Sequence, residues 1–253
     1  MAGISVHNSQ KELIVTPETI DSLGAQALVF TGSDNKTIPY RQFVCGEKLP
    51  GKYSMLIFLH GVGSVGEDNF LQMRIPGPPI IRYCLAKKMK AVILFPQCRV
   101  NCKWVDVPWD SLNHEIPAAP SVHMKLAMEL LKSKIAEFKP DEKRIYAGGI
   151  SMGGYGAWDI VSRMPETFAA VLPICGGADV RQAPKLKNLS VYTLHGDQDT
   201  AVPVFRSRDM VRALQACGNT RVIYRELPGV GHNAWDAAFA DDQAVEWLFA
   251  QTK

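Results

Sequence analysis

The sequence predicts an α/β protein: a mostly parallel central sheet of about eight strands, antiparallel at its start, with helices on both faces. Three observations carry this. Strand-like and helix-like runs alternate along most of the chain, as successive crossover units require. Several strand-like runs are continuously apolar, which suits strands buried on both faces. The sharpest local signal is the pentapeptide Gly149-Ile150-Ser151-Met152-Gly153, set between an apolar β-rich run and a helix-compatible stretch.

Taken in order, Ala27 to Thr31 and Lys36 to Cys45 read as strands joined by Gly32-Ser33-Asp34-Asn35, a hairpin signal. Tyr53 to His60 is an apolar run fit for a buried strand. Ile80 to Lys88 reads as a helix and Ala91 to Phe95 as a second buried strand. A long irregular segment, Pro96 to Pro120, follows. Ser121 can cap the next helix, whose apolar residues Val122, Leu126, Leu130 and Ile135 fall near one face before Pro140 ends it. Arg144 to Gly148 is the strand before Ser151, and Gly154 to Met164 the helix after it. Phe168 to Ile174, Val191 to Leu194 and Arg221 to Leu227 complete the strands. Helices are expected at about Val204 to Ala216 and Ala237 to Gln251. No repeat, linker or composition break divides the chain. Residues 1–253 therefore read as one domain, with residues 1–25 an N-terminal extension of no assigned role.

The 253 residues are 47% apolar and 21% charged, enough for a sizeable core. A formal net charge of +3 is too weak to point to nucleic acid or an acidic membrane surface. No apolar run approaches the length of a membrane span. Met1 to Gln10 lack an apolar signal-peptide region, so the expected location is cytoplasmic, or secreted if a leader has been removed. Six cysteines are scattered through the chain. Cys45 and Cys175 read as buried thiols, and Cys98 and Cys102 are close enough to pair. No second Cys/His pair at ligand spacing follows them, so no metal site is expected. No feature requires an organic cofactor.

The chemistry starts at Ser151. A strand-to-helix turn this sharp holds the serine in strained φ/ψ, and small residues two before and two after it avoid the clash. Gly149 and Gly153 supply them. A serine hydroxyl needs a base, and the base needs an orienting carboxylate. Two histidines follow Ser151. His232, in Pro228-Gly229-Val230-Gly231-His232, lies in a flexible loop just after the last strand, where a base belongs. His195 opens the loop His195-Gly196-Asp197-Gln198-Asp199 and reads as a structural residue fixing that turn. Either Asp197 or Asp199 is the acid. The developing oxyanion needs donors. Met152 N–H, one past the nucleophile, is the first. The second is expected from the Gly-rich loop His60 to Gly66, with Val62 favoured and Gly63 as fallback. A phosphate loop is the rival reading of those glycines, but the G-K-[ST] sequence is absent. His60 reads as a brace for this loop.

Together these residues resemble the α/β-hydrolase superfamily. Within it the chain is similar to single-domain carboxylesterases of the phospholipase/carboxylesterase and polyhydroxybutyrate-depolymerase-like or feruloyl-esterase-like branch, including those labelled "predicted peptidase". The motifs are Phe58-Leu59-His60-Gly61, Gly66-Glu67-Asp68-Asn69, Pro96-Gln97-Cys98, Gly149 to Gly154, His195 to Pro203 and Gly231-His232-Asn233-Ala234-Trp235-Asp236. The resemblance covers roughly residues 36 to 250. It implies the α/β-hydrolase fold and a triad in the order Ser, acid, His. It implies Asp199 as the acid, through the H-G-x-x-D-x-x-V-P pattern matched from His195 to Pro203, with Asp197 bracing the loop.

Between the strand after the serine and the acid strand, Gly176 to Ser190 is too short for a helical lid domain, so an open cleft is expected. Trp104 and Trp109 in the long irregular segment either pin that loop to the core or form an aromatic wall for substrate. Trp235 and Tyr155 are the other candidate substrate contacts. The expected activity is hydrolysis of short acyl or hydroxycinnamoyl esters, as small molecules or linked to plant polysaccharide. A serine peptidase or a non-catalytic hydrolase-fold receptor is the alternative.

Overall fold

A computed structural model describes residues 15–253. The leader-free reading of Met1 to Gln10 falls outside these residues. An eight-stranded sheet runs through the described chain: β1 (Gln26–Thr31), β2 (Thr37–Cys45), β3 (Ser54–Leu59), β4 (Ala91–Pro96), β5 (Ile145–Ile150), β6 (Ala170–Ile174), β7 (Ser190–Gly196) and β8 (Val222–Leu227). Their spatial order is β1-β2-β4-β3-β5-β6-β7-β8. The β1–β2 and β2–β4 pairs are antiparallel and all the others parallel, as the sequence predicts.

Burial follows position in the sheet. Every residue of β3, β4, β5, β6 and β7 is buried, because helices cover both faces. Edge strands β1 and β8 are mostly exposed or half-buried, with Leu227 at the end of β8 buried. One core cluster lies under α3 (Val122–Phe138), α4 (Met152–Arg163) and α5 (Phe205–Ala216), and includes Leu126, Leu130, Trp158 and Leu214. The other lies under α2 (Gly77–Ala86) and the last helix, with Ile80, Ile81, Leu248 and Phe249.

Three elements differ from expectation. First, the described part of the N-terminal extension contains a helix. α1 (Pro17–Ser22) starts with a reciprocal capping box between Thr16 and Thr19 and drives Ile20, fully buried, into the second core cluster. Second, α2 begins at Gly77 rather than Ile80, since Pro78 and Pro79 fall in the first turn, where a missing N–H costs nothing. Third, the predicted helix from Ala237 to Gln251 is two helices, α6 (Ala234–Ala238) and α7 (Gln243–Ala250). Asp241 accepts the Gln243 N–H at 2.9 Å, offering a local acceptor that stops one helix and starts the next.

Ser121 caps α3 as predicted. Its Oγ accepts the Met124 N–H at 3.1 Å and lies 2.8 Å from the carbonyl of Trp104, to which it donates. Ser121 therefore ties the start of the helix to the long irregular segment. Replacing it removes both bonds. A Ser121→Ala substitution is expected to cost about 1–2 kcal/mol, read as a lower urea midpoint at unchanged m.

Candidate active site

The three side chains singled out by the sequence meet above the carboxyl ends of β5, β7 and β8. Ser151 sits between β5 and α4 with φ +54° and ψ −118°, a conformation side-chain-bearing residues rarely hold. Its backbone N–H donates to the Ile174 carbonyl at 2.9 Å, anchoring the turn to β6. The flanking glycines are required by close approach. A Cβ on Gly153 would lie 2.0 Å from the Leu59 carbonyl oxygen, and one on Gly149 would lie 2.0 Å from the Gly153 carbonyl oxygen.

Ser151 Oγ lies 2.7 Å from His232 Nε2, and His232 Nδ1 lies 2.7 Å from Asp199 Oδ2. With the ring proton on Nδ1, donated to the carboxylate, Nε2 is free to accept the serine hydroxyl proton. The Asp199 side chain is wholly buried. Its Oδ1 accepts the N–H groups of Ala201 and Val202 at 2.9 and 2.8 Å. Burial alone would raise its pKa. Hydrogen bonds from His195, His232 and the Val202 N–H outweigh burial and hold the carboxyl well below the usual carboxylate range, so it stays ionised.

His195 and Asp197 occupy the bracing positions expected of them. His195 is buried, with Nδ1 2.7 Å from Ser207 Oγ and Nε2 3.0 Å from the Val202 carbonyl and 3.2 Å from Asp199 Oδ2. Asp197 instead accepts the Gly229 N–H at 2.8 Å and steadies the loop that carries His232.

The loop after β3 forms the other wall. His60 is fully buried; its Nδ1–H donates to the Gly61 carbonyl at 2.7 Å, and its Nε2 accepts the Cys98 N–H at 2.9 Å. Burial pushes its pKa down to about 4, against the pull of the Gly61 carbonyl, so the ring is neutral at pH 7. Gln97, also fully buried, donates to Ser64 O and Asp68 Oδ1 and accepts the Asn69 N–H. The Asp68-Asn69 and Gln97-Cys98 motifs thus meet as one brace behind the loop. Val62 and Met152 each begin a helical segment, and neither N–H has an acceptor among the described residues. Both are free donors, as an oxyanion site needs.

A cleft of about 180 Å³ opens between loop residues 61–64, Ser151, His232 and Trp235. Of the four aromatic candidates only Trp235 lines it, with its ring edge-on to His232 at 5.4 Å between centroids. Trp104 requires correction. It is 0% exposed and its indole N–H donates to the His60 carbonyl at 3.0 Å, so it pins the irregular segment to the core and cannot touch substrate. Tyr155 is buried too, and its hydroxyl donates to the Trp109 carbonyl. Burial pushes that phenol up to about 12. Trp109 is half-buried with Lys103 4.5 Å from its ring, and it does not border the cleft. The sequence reading missed Arg74 and Ile75, which do border it. They come from the segment before α2 and carry no motif, so only the fold brings them there.

Cys98 and Cys102 are free thiols in the structure. Cys175, at φ +41°, has its sulfur within 4.8 Å of ligand atoms on Asp199 and His232. Both His232 nitrogens and Asp199 Oδ2 are engaged within the triad and Asp199 Oδ1 accepts two backbone N–H groups; burial also raises the thiol pKa, so this trio is poorly suited to hold a metal. Between β6 and β7 there is one short 3₁₀ segment, Val180–Leu186, and nothing that covers the cleft as a lid domain.

A largely parallel eight-stranded sheet with a serine at the β5–α4 turn, backed by His232 and Asp199, defines an α/β-hydrolase with a Ser-His-Asp triad. A family model described as phospholipase/carboxylesterase matches residues 42–244, and the chain belongs to that family. Among solved structures, a thermostable esterase superposes with TM-score 0.82 at 33% identity, over 90% of this chain and 63% of that one. A ferulic acid esterase superposes with TM-score 0.64 at 18% identity, over 89% of this chain and 97% of its own, a likeness of fold. Esterase LipC of Mycobacterium tuberculosis is 36% identical over 72 residues, 28% of this chain and 16% of LipC. The chain thus spans 63% of the thermostable esterase chain and a small part of LipC.

The neutral His60 ring has a consequence for stability. Its folded pKa, about 4, lies below the free value of 6.5. Between those values the unfolded chain binds a proton that the folded chain refuses. Stability is therefore expected to fall as pH drops through this window, by about 1.4 kcal/mol per pH unit from this residue at the steepest. Urea midpoints across the window check this, and a His60→Gln variant, less stable at neutral pH, should show a shallower slope.

Proposed function

We propose that the protein is a serine carboxylesterase acting on short acyl esters through an acyl-enzyme. The observation that carries this is the unbroken chain of two 2.7 Å contacts from Ser151 Oγ through His232 to the buried, ionised Asp199. Ser151 Oγ attacks the ester carbonyl while His232 Nε2 takes its proton. The alkoxide leaves as the alcohol when His232 returns that proton. Water then enters by the same route and releases the acid. Asp199 keeps the imidazole in the required tautomer and stabilises it when charged. The free N–H groups of Met152 and Val62 are the donors assigned to the developing oxyanion in this reading.

The short-acyl preference rests on the size of the cleft. Each buried methylene contributes about 0.8 kcal/mol, and a chain that outgrows the cleft gains nothing further. Hydroxycinnamoyl esters, free or linked to plant polysaccharide, belong to the same proposal through Trp235 alone, since Trp104 cannot face them.

Ser151→Ala is expected to lower kcat for 4-nitrophenyl acetate by on the order of 10⁵–10⁶ in a folded protein. A fluorophosphonate should label Ser151, and labelling elsewhere sinks the assignment. Asp199→Asn is expected to cost about 10⁴ and Asp197→Asn far less; equal losses would contradict the geometry.

Across a 4-nitrophenyl ester series, activity is expected to peak at acetyl to butyryl and fall steeply by octanoyl. Methyl ferulate, run alongside, tests the aryl arm. A preference for dodecanoyl over acetyl would require a long apolar channel and would overturn the short-acyl reading.

A further inference from the structure

Beside the catalytic cleft lies a second, larger hollow. Arg74, Ile75 and Trp235 border both. The hollow holds about 560 Å³ and reaches Arg82 on α2, past Pro78, Pro79 and Phe239. Its wall is about half apolar, and two guanidinium groups stand on it.

Those two groups are unlike the other arginines. Arg41, Arg99, Arg144, Arg163, Arg181, Arg206, Arg208, Arg212, Arg221 and Arg225 each donate to a carbonyl, carboxylate, hydroxyl or imidazole. Among the described residues, Arg74 and Arg82 have neither an ion pair nor a side-chain hydrogen bond, and both border this one hollow. Its carboxylate, Asp236, already accepts from Asn233 Nδ2 at 2.6 Å. The hollow therefore carries a net positive charge with unused donors, and one of its arginines also edges the cleft holding Ser151.

We infer that the hollow is a subsite for a carboxylate or similar oxyanion carried by the ester substrate, read by Arg74 next to the cleft and by Arg82 farther along. This rests on the esterase reading above and narrows it to acidic esters. A guanidinium presents a planar fork of N–H donors that matches a carboxylate edge to edge. Trp235 gives a flat apolar surface between the reacting carbonyl and that fork. Both arginines are exposed, so the interaction remains sensitive to salt.

The charge could sit on either half of the ester, and two substrate pairs separate the cases. For the alcohol side, 4-acetoxybenzoate is compared with its methyl ester. For the acyl side, mono-4-nitrophenyl adipate is compared with 4-nitrophenyl hexanoate. For each, kcat/KM is measured in the unmodified protein, Arg74→Leu, Arg74→Lys and Arg82→Leu. In at least one pair, Arg74→Leu is expected to lower kcat/KM for the anionic member by about tenfold, leaving its neutral partner within about twofold. Arg74→Lys should recover part of the loss, and raising the ionic strength should erode the preference of the unmodified protein. If the anionic-to-neutral ratio is unchanged by Arg74→Leu in both pairs, or both members fall together, the inference is overturned while the esterase reading stands. If the unmodified protein hydrolyses none of the four esters, both fail.

Discussion

The structure turns on one close approach, where the end of β3, the turn at Ser151 and the first turn of α4 pass with no room for side chains. The Leu59 carbonyl lies where a Cβ of Gly153 would be, and the Gly153 carbonyl where a Cβ of Gly149 would be. With both glycines in place the chain can reverse from strand to helix within one residue, and Ser151 takes the strained φ. That strain is held by the β5 pairings to β3 and β6 and by the Ser151 N–H to Ile174 bond. The Met152 N–H, first in α4, has no acceptor among the described residues. The strained serine and the free N–H of the next residue thus sit together at one packed turn.

Around that turn, buried polar groups serve as rigid joints. His60 and His195 each bond in two directions, one fixing the loop that carries Val62 and the other fixing Asp199. Gln97 joins Ser64, Asp68 and Asn69 in the same manner. His60, His195 and Gln97 do not border the cleft. Their bonds are satisfied inside the protein, so each holds loop backbone that would otherwise move. Trp104 belongs with them, since its indole N–H holds the His60 carbonyl. This indole supports the loop from behind rather than touching substrate.

Much of this was legible in the sequence, and the boundary between what was and was not is physical. The succession of strands, the Ser151 turn, the Ser121 cap and the division of labour between His195 and His232 depend on short-range pattern, which a linear reading captures. The choice of Asp199 over Asp197 was not local; both suit a turn, and the motif resemblance decided it. What remained hidden depends on tertiary packing. Trp104 and Trp109 look alike in sequence, and only the fold puts one wholly inside. The break between α6 and α7 comes from one Asp241 side chain competing for a backbone donor. α1 is short enough that its capping box and the burial of Ile20 carry it. Arg74 reaches the cleft from a segment with no pattern.

The three triad members hang from β5, β7 and β8, and β6 stands between the first of these and the second. No two of them belong to one hairpin or one helix. The Ser151–His232 contact spans 81 residues of sequence. Every one of the parallel pairings from β5 to β8 must therefore be in register before the serine meets its base, and such long-range pairings are the slow ones to form. Ser151 becomes a strong nucleophile only at the end of assembly. A chain still folding, with its core half built, carries an ordinary serine hydroxyl. The site thus stays silent until the scaffold is complete, and the reactivity of one side chain reports on the order of the whole carboxyl-terminal half of the sheet.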